Sequence, residues 1–517
     1  MNVSWALEQI ASEQADKKVY TFLETSVTYN ELNETVTRFA AGLQSLGFQK
    51  GDHIALLLGN SPHFIVSLYG ALRAGLTVIP INPAYTKNEL LYILQNGDVK
   101  AIVIQESLIS MINSLQEELR SVGHFIVCTE NNDDINESAR MKLFSKVEMK
   151  TFSELMGYRA SFSQPNLYEN DTAVILYTSG TTGRPKGAML SHKNIYSNAR
   201  DIAAYLSMTE TDRVITALPM FHVFCLTVML NASIVQGAEM IILPAFSPRE
   251  VCKAARENKA TIFAGVPTMY AFLLQYSEAD LADFSSIRLC ISGGASMPVS
   301  LLKQFEEKFS VRISEGYGLS EASPVTCFNP LDRPRKAGSI GCSIPNVENK
   351  IVNELGEEAI PGQVGELIVS GPNVMKGYYK MPEETAASIR EGWLYTGDLA
   401  YQDHEGYFYI VDRKKDLIIV GGYNVYPREV EEVLYEHSGI LEAAVLGVPD
   451  PDYGEAVLAF IVRKEDSLTE EEIQKHCESR LVSYKVPKSI AFLPELPKNT
   501  TGKILRRSLK NHIEKAK

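Results

Sequence analysis

The segment 177–187, YTSGTTGRPKG, packs three glycines, four serine or threonine hydroxyls and one lysine into eleven positions. That mixture suits a polyphosphate. Glycines let the backbone approach phosphate oxygens closely, hydroxyl and N–H groups donate to them, and the ammonium of Lys186 offsets their charge. The spacing GxxxxGK[ST] of a Walker A loop cannot be fitted here. The alternative is a flexible Gly/Ser/Thr linker. Position argues against it, because the segment directly follows TAVIL, an apolar run that reads as a buried strand.

That strand belongs to a longer rhythm. Between residues 53 and 105, HIALLL, TVIPI and KAIVIQ read as strands, and PHFIVSLYGALRAG and ELLYILQNG as helices. Short, continuously apolar strands alternating with helices predict a buried parallel sheet covered by helices. RVITALP, MIILP, TIFAGVP and IRLCISGG repeat the pattern, so the α/β portion is expected to reach residue 329 or so. From 336 to 411, GSIGCSIP, NKIVN, GELIVSG and GYFYIVD are short strands set among Gly, Pro and Asn, which predicts a β-rich subdomain. A charged knot, DRKKD, follows at 412–416. The chain beyond it has the size of a small α+β domain. There Pro427 opens a helix with Val430, Val433 and Leu434 on one face, AAVLGV and AVLAFIV read as paired strands, and Thr469 with Glu472 forms a capping box. The expected division is 1–411, including the β-rich part at 336–411, and 412–517.

The 517 residues are 45% hydrophobic and 22% charged, the composition of a globular chain too long for one core. A net charge of −13 without a long basic run speaks against a nucleic-acid partner. The N-terminus has no basic start followed by an apolar run, so no signal peptide is expected. The most apolar stretch, 222–243, is interrupted by Asn231, Gln236 and Glu239. It reads as a buried helix followed by a strand, not as a membrane span. Seven cysteines without a CxxC pair argue against structural zinc and disulfides and for a reducing cytoplasm, with contact to a membrane surface left open.

YTSGTTGRPKG closely resembles the phosphate loop of the adenylate-forming superfamily, which includes acyl-CoA synthetases, luciferase and the adenylation domains of peptide synthetases. Six further strings resemble its motifs, in the family's order and over nearly the whole chain. PMFHVF (219–224) is similar to the histidine motif, SGGASMP (292–298) to the acyl-pocket glycine loop and GYGLSEA (316–322) to the adenine and magnesium motif. YTGDL (395–399) is similar to the ribose motif, DRKKDLIIVGGYNVYPREVE (412–431) to the hinge and second-step motif, and PKNTTGKILR (497–506) to the terminal lysine motif. The overall resemblance is nearest to bacterial long-chain fatty-acid–CoA ligases.

The resemblance implies roles for individual residues. ATP would be held by Thr178, Ser179, Gly180, Thr181, Thr182, Gly183 and Lys186, by Gly294, Glu315, Gly316, Tyr317, Gly318 and Ser320, and by Asp398 and Arg413. Ser320 stands where the family commonly has threonine and keeps the hydroxyl. Glu321, with Thr178, would ligate Mg²⁺, which favours hard oxygen donors. Tyr317 would stack on adenine, the alternative being core packing. Asp398 would accept the ribose hydroxyls, against an ordinary Gly-Asp turn. For Arg413 the alternative is a surface ion pair. His222 would adjoin the substrate carboxylate, against a satisfied core histidine. Phe224, Gly265, Gly293, Gly318, Pro324 and Val325 would form the acyl pocket, and their small or apolar character implies a medium- or long-chain fatty acid.

Lys503 would offset the charge of a carboxylate attacking the α-phosphate. Without the resemblance it is one solubilising lysine among 50 basic residues. Lys415 would be the hinge between two half-reactions. Gly421, Gly422, Tyr423, Asn424, Tyr484 and Lys485 would meet coenzyme A, with Gly422 leaving room for its pantetheine arm; a tight turn is the other reading of the glycine pair. The implied protein is an AMP-forming acid–thiol ligase that takes a fatty acid, ATP with Mg²⁺, and CoA, and uses no cysteine in its chemistry. An acyl-AMP ligase that loads a carrier protein, an aryl-CoA ligase and a non-catalytic nucleotide-binding protein are the rivals. A homodimer is left open.

Overall fold

The computed structural model describes residues 2–115, 117–129, 148–158, 161–178, 184–498, 503–506 and 508–510. Two large sheets dominate. In the first, the strands Ile313–Gly318, Leu289–Ser292, Ile262–Gly265, Arg213–Thr216, Glu239–Ile242 and Lys18–Phe22 lie side by side and parallel. Val325–Phe328, Cys342–Ser343 and Thr25–Thr28 extend its edges antiparallel. In the second, Thr172–Thr178, Thr77–Pro80, His53–Leu57, Val99–Gln105, His124–Cys128 and Glu148–Thr151 are parallel. Lys186–Ser191 and then Gly377–Tyr378 are added antiparallel at one edge.

The continuously apolar strands have the physical cause read from the sequence. Ile54 and Leu56 face a core shared with the helices Tyr29–Ser45, Pro62–Arg73 and His192–Tyr205, whereas Ala55 and Leu57 face the helix Lys87–Asn96. Both faces are buried, so both alternating sets must be apolar. The same holds for Val214 and Ile215 in the first sheet, which fall into separate cores.

The stretch 336–411 departs from expectation in three ways. Cys342–Ser343 and Gly377–Tyr378 join the two large sheets rather than a sheet of their own. The strand Trp393–Gln402 and the helix Pro382–Ser388 were not anticipated. Two-residue strands carry no period, and the long strand is half-exposed along most of its length, which blurs its alternation. Glu348–Val352, Gly365–Ser370, Trp393–Gln402 and Phe408–Arg413 do form the expected antiparallel β layer.

Beyond it, Ile418–Val420, Tyr423–Val425, Ile440–Asp450, Gly454–Arg463 and Ser489–Phe492 make a separate sheet with apolar clusters on both faces. Helix Pro427–Tyr435 buries Val430 and Leu434, and the helix Glu470–Glu478 starts at the Thr469–Glu472 capping box. All seven cysteines are buried and free. Among the described residues, no helix is long and apolar enough to cross a membrane. The stretch 222–243 is indeed a buried helix and a strand, but Cys225–Asn231 winds as π-helix before Ala232–Gln236 and Glu239–Ile242.

Candidate active site

The site begins at the carboxyl ends of the parallel strands, where open α/β sheets bind ligands. Gly265 lies opposite Ser292, and Ser292 opposite Glu315, so the loops carrying Gly293–Gly294 and Gly316–Gly318 emerge side by side. Close approach explains these glycines. A Cβ at Gly293 would lie 3.2 Å from the Phe224 ring, one at Gly316 2.2 Å from Phe328, and one at Gly318 2.3 Å from the carbonyl oxygen of Pro324. Gly294 adopts a φ of +78°. Gly265 would meet Phe263 and Met269. The buried Phe224 therefore packs directly against the glycine loop, and Val325 is buried nearby in sequence to Pro324.

The loop that carries His222 is clamped by a residue from the other sheet. Asn60, after the strand His53–Leu57, donates to Leu218 O at 2.9 Å and Leu243 O at 3.1 Å and accepts from Met220 N at 2.8 Å. His222 Nδ1 accepts from Phe224 N at 3.3 Å, which assigns the ring proton to Nε2. Burial, reinforced by the nearby charge of Lys503, pushes its pKa down to about 4. At neutral pH the ring is an uncharged donor through Nε2, suited to a carboxylate.

At the nucleotide end, the Tyr317 hydroxyl donates to Asp398, and Arg413 Nε lies 3.6 Å from the other Asp398 oxygen. Asp398 sits within the strand Trp393–Gln402, directly opposite Arg413, and so is not simply a turn residue. Burial and the Asp398 charge together hold the Tyr317 phenol well above its ordinary pKa, so it stays a donor. Glu315 behaves differently. Its side chain is 6% exposed, accepts from Gly338 N at 3.2 Å, and is pushed up to about 7 chiefly by burial.

Thr178 ends one strand and Lys186 starts the next, and the two pair across a hairpin. Ser179, Gly180, Thr181, Thr182 and Gly183 lie outside the described residues. Glu321 occupies the short turn Ser320–Ala322, with Oε1 accepting from the Tyr378 hydroxyl at 2.9 Å. Lys186 Nζ lies 5.2 Å from the centre of the Tyr378 ring. Tyr378 thus lies between Glu321 and Lys186, and a carboxylate and a hydroxyl of the Glu321 and Thr178 kind are the hard oxygen donors that Mg²⁺ takes.

Sequence reasoning missed the residues that hold the 320–325 loop in place. Asn198 donates to Val325 O at 2.8 Å and accepts from Val325 N at 3.0 Å. Asn373 donates to Ala322 O at 2.8 Å, and Thr227 Oγ1 to Ser323 O at 2.6 Å. The one cue available was a polar residue, Thr227, inside an otherwise apolar run.

The C-terminal part brings Lys503 to the same place. Its pKa is lowered to about 8, first by burial, then by Arg413, with Asp398 opposing and Arg506 and Lys415 adding to the depression. Arg506, three residues on, is anchored to Glu431 at 2.6 Å and lies 3.6 Å from Asp416 and 3.7 Å from Asp412. Lys415 sits in the turn Lys414–Asp416 that links the β layer to the C-terminal sheet, its pKa lowered by burial and by Arg413. Gly421 and Gly422, at φ +57° and +86°, are the two-residue turn between Ile418–Val420 and Tyr423–Val425. A Cβ on Gly422 would meet open space. Tyr423 is exposed and stacks on Tyr484 at 4.7 Å, Asn424 is exposed beside it, and Lys485 pairs with Glu429 at 2.6 Å. The structure thus gathers Lys503, Arg413, Asp398, Tyr317 and His222, and leaves 421–424 with Tyr484 on an open face.

Residues 7–379 match the AMP-binding enzyme family and residues 429–503 the C-terminal domain of AMP-binding enzymes. The chain belongs to the AMP-binding enzyme family. A long-chain-fatty-acid–CoA ligase of Bacillus subtilis is 43% identical over 528 aligned positions, spanning 97% of this chain and 93% of the relative. Among solved structures, ATP-bound MatB from Rhodopseudomonas palustris superposes with a TM-score of 0.90 at 32% identity, over 99% of each chain. The apo form of that same protein superposes less well, with a TM-score of 0.80.

Proposed function

We propose that the protein is an ATP-dependent fatty acyl-CoA synthetase working in two half-reactions. The observation that carries the reading is that Lys503 comes near enough to Asp398, Arg413 and His222 for their charges and its own to act on one another. In the first half-reaction a fatty acid carboxylate attacks the α-phosphorus of ATP, the bond to the β-phosphate oxygen breaks, and acyl-AMP and pyrophosphate result. Asp398 and Tyr317 orient the ribose and base. The Nε2 proton of His222 steadies the attacking carboxylate. Lys503 lies where negative charge builds up, and preorganised charge of that kind is among the largest catalytic contributions. Glu321 and Thr178 would hold Mg²⁺, which would supply positive charge against the phosphates.

In the second half-reaction the thiolate of CoA attacks the acyl carbonyl and AMP leaves. Of the residues proposed for CoA, 421–424 are exposed, and Tyr484 and Lys485 are half-buried beside them. A rotation of 412–517 about Lys415 that exchanges Lys503 for Gly422 supplies what the first arrangement lacks. The better superposition on an ATP-bound relative supports reading this structure as the adenylating arrangement. A fatty acyl substrate is supported by the apolar contact of Phe224 on Gly293 and by the Bacillus subtilis relative.

Pyrophosphate and AMP release, followed over a series of fatty acids with and without CoA, tests this. Pyrophosphate without CoA, and sustained AMP release only with CoA, is the expected pattern. AMP release driven by a carrier protein and indifferent to CoA would replace the proposal with a carrier-loading ligase.

A further inference from the structure

The strand Gly377–Tyr378 is two residues long, yet it ties together parts of the site that are distant in the chain. It pairs with Lys186–Ser191, Tyr378 opposite Ala188, and Tyr379 N donates to Gly187 O at 2.8 Å. Just before it, Met375 N donates to the main-chain oxygen of Glu321 at 2.8 Å. Thr385 Oγ1 accepts from Tyr378 N at 2.8 Å and donates to Met381 O at 2.8 Å. With its backbone fixed on both sides, Tyr378 aims its side chain at Glu321 and Lys186, and Ser388 also hydrogen-bonds its hydroxyl. The hydroxyl donates to Glu321 Oε1 at 2.9 Å, and the ring lies 5.2 Å from Lys186 Nζ, within cation–π range. The next residue, Tyr379, points the other way and donates to Asp98 at 2.7 Å, as strand alternation requires. Space-filling does not explain the Tyr378 hydroxyl, since phenylalanine would fill the same volume.

We propose that Tyr378 is a positioning residue for adenylation: its hydroxyl pins one oxygen of Glu321 so that the other is presented to the magnesium of ATP, and its ring holds Lys186 beside the phosphate loop. The proposal rests on the reading of Glu321 as the metal ligand. An unpinned glutamate must lose rotamer freedom when it binds a metal, and a hydrogen-bonded partner removes part of that cost beforehand.

Equilibrium binding of ATP, measured by calorimetry with excess Mg²⁺ and separately with EDTA, tests both statements. Tyr378→Phe is expected to weaken binding about tenfold with Mg²⁺, the scale for a residue that orients a metal ligand, and to leave binding in EDTA unchanged. Tyr378→Leu, which also removes the ring, is expected to weaken binding in EDTA by a further factor of about two to five. In the Glu321→Gln background, Tyr378→Phe is expected to add nothing. Equal loss with and without Mg²⁺, no loss, or full additivity in the double variant overturns the positioning role. If Glu321→Gln alone leaves magnesium-dependent binding untouched, the metal-ligand reading falls and takes the proposal with it, and that result is distinct from the others. Tyr378→Phe keeps every apolar contact, so it decides the matter even if the leucine variant does not fold.

Discussion

Removing the Lys503 ammonium is expected to separate the two proposed half-reactions. With a pKa lowered to about 8 by burial and by Arg413, Lys503 in the free enzyme is about nine-tenths charged at pH 7 and about one-tenth charged at pH 9. The kcat/KM for ATP in adenylation reports the free enzyme, so it is expected to fall about tenfold across that interval. Bound triphosphate favours the ammonium, so kcat should hold to higher pH than kcat/KM. Lys503→Arg keeps its charge throughout and should flatten the profile. Lys503→Ala should flatten it too, at a rate lower by about 10²–10³. Loss of folding has the opposite sign. Between about 8 and the unfolded value of 10.5 the unfolded chain holds the proton that the folded chain has released. The penalty from Lys503 is therefore full below about 8 and is relieved as pH rises, while activity falls. The assay is fatty-acid-dependent pyrophosphate release without CoA at constant ionic strength, beside CoA thioester formation from supplied acyl-AMP. The second reaction should be nearly unaffected in Lys503→Ala. A parental pH profile in that variant, or equal loss of both half-reactions with circular dichroism intact, would refute the reasoning.

Asp398→Asn removes charge from the group that Tyr317 and Arg413 engage, and should weaken ATP binding by about 1.5–3 kcal/mol in calorimetry; unchanged affinity would make Asp398 a structural strand residue only. Gly422→Leu should leave pyrophosphate release largely intact and abolish thioester formation, because its side chain enters open space in this arrangement. Gly422→Asn tolerates the positive φ and serves as the control for turn strain, so similar behaviour in both half-reactions for the two variants would remove Gly422 from the CoA path. Glu315→Gln addresses a carboxyl whose pKa is raised to about 7, so that its folded form binds protons more tightly than its unfolded form and its cost grows as pH rises from about 4.5 to 7. The substitution should raise Tm at pH 8 more than at pH 5, and an equal shift at both would deny the buried charge.

The parts of this protein that were legible in the sequence are those whose physics is local. Continuous apolar runs such as residues 54–58 announce strands buried on both faces, and the Thr469–Glu472 box announces a helix start, because each acts over a few residues. The glycine motifs were legible as loops, but their causes were not. Gly316 is dictated by the Phe328 ring and Gly318 by the Pro324 carbonyl, contacts that exist only once the strand Val325–Phe328 folds back. Asn60, Asn198 and Asn373 were invisible for another reason. They bond main-chain groups, which every residue type presents alike, across separations as large as 183 residues. Nothing at the far end marks the partner. Tyr378 was hidden because a two-residue strand has no period.

Among the described residues, several polar contacts join the part of the chain after 412 to the part before it. Arg428 donates to Ile410 O at 2.7 Å and Gly338 O at 3.4 Å. Ser300 Oγ donates to Tyr435 O at 3.4 Å. Each such bond is worth about 0.5–1.5 kcal/mol net, so releasing them costs no more than ligand exchange at the site can offset. By contrast, the Arg506–Glu431 pair and the Tyr423–Tyr484 stack lie wholly within 412–517 and travel with it. Lys503 and Gly422 thus both belong to the part of the chain that follows the turn Lys414–Asp416, which has apolar clusters of its own. A body built that way can present a cation to a phosphate, and then an open glycine turn to a thiol, without repacking either core.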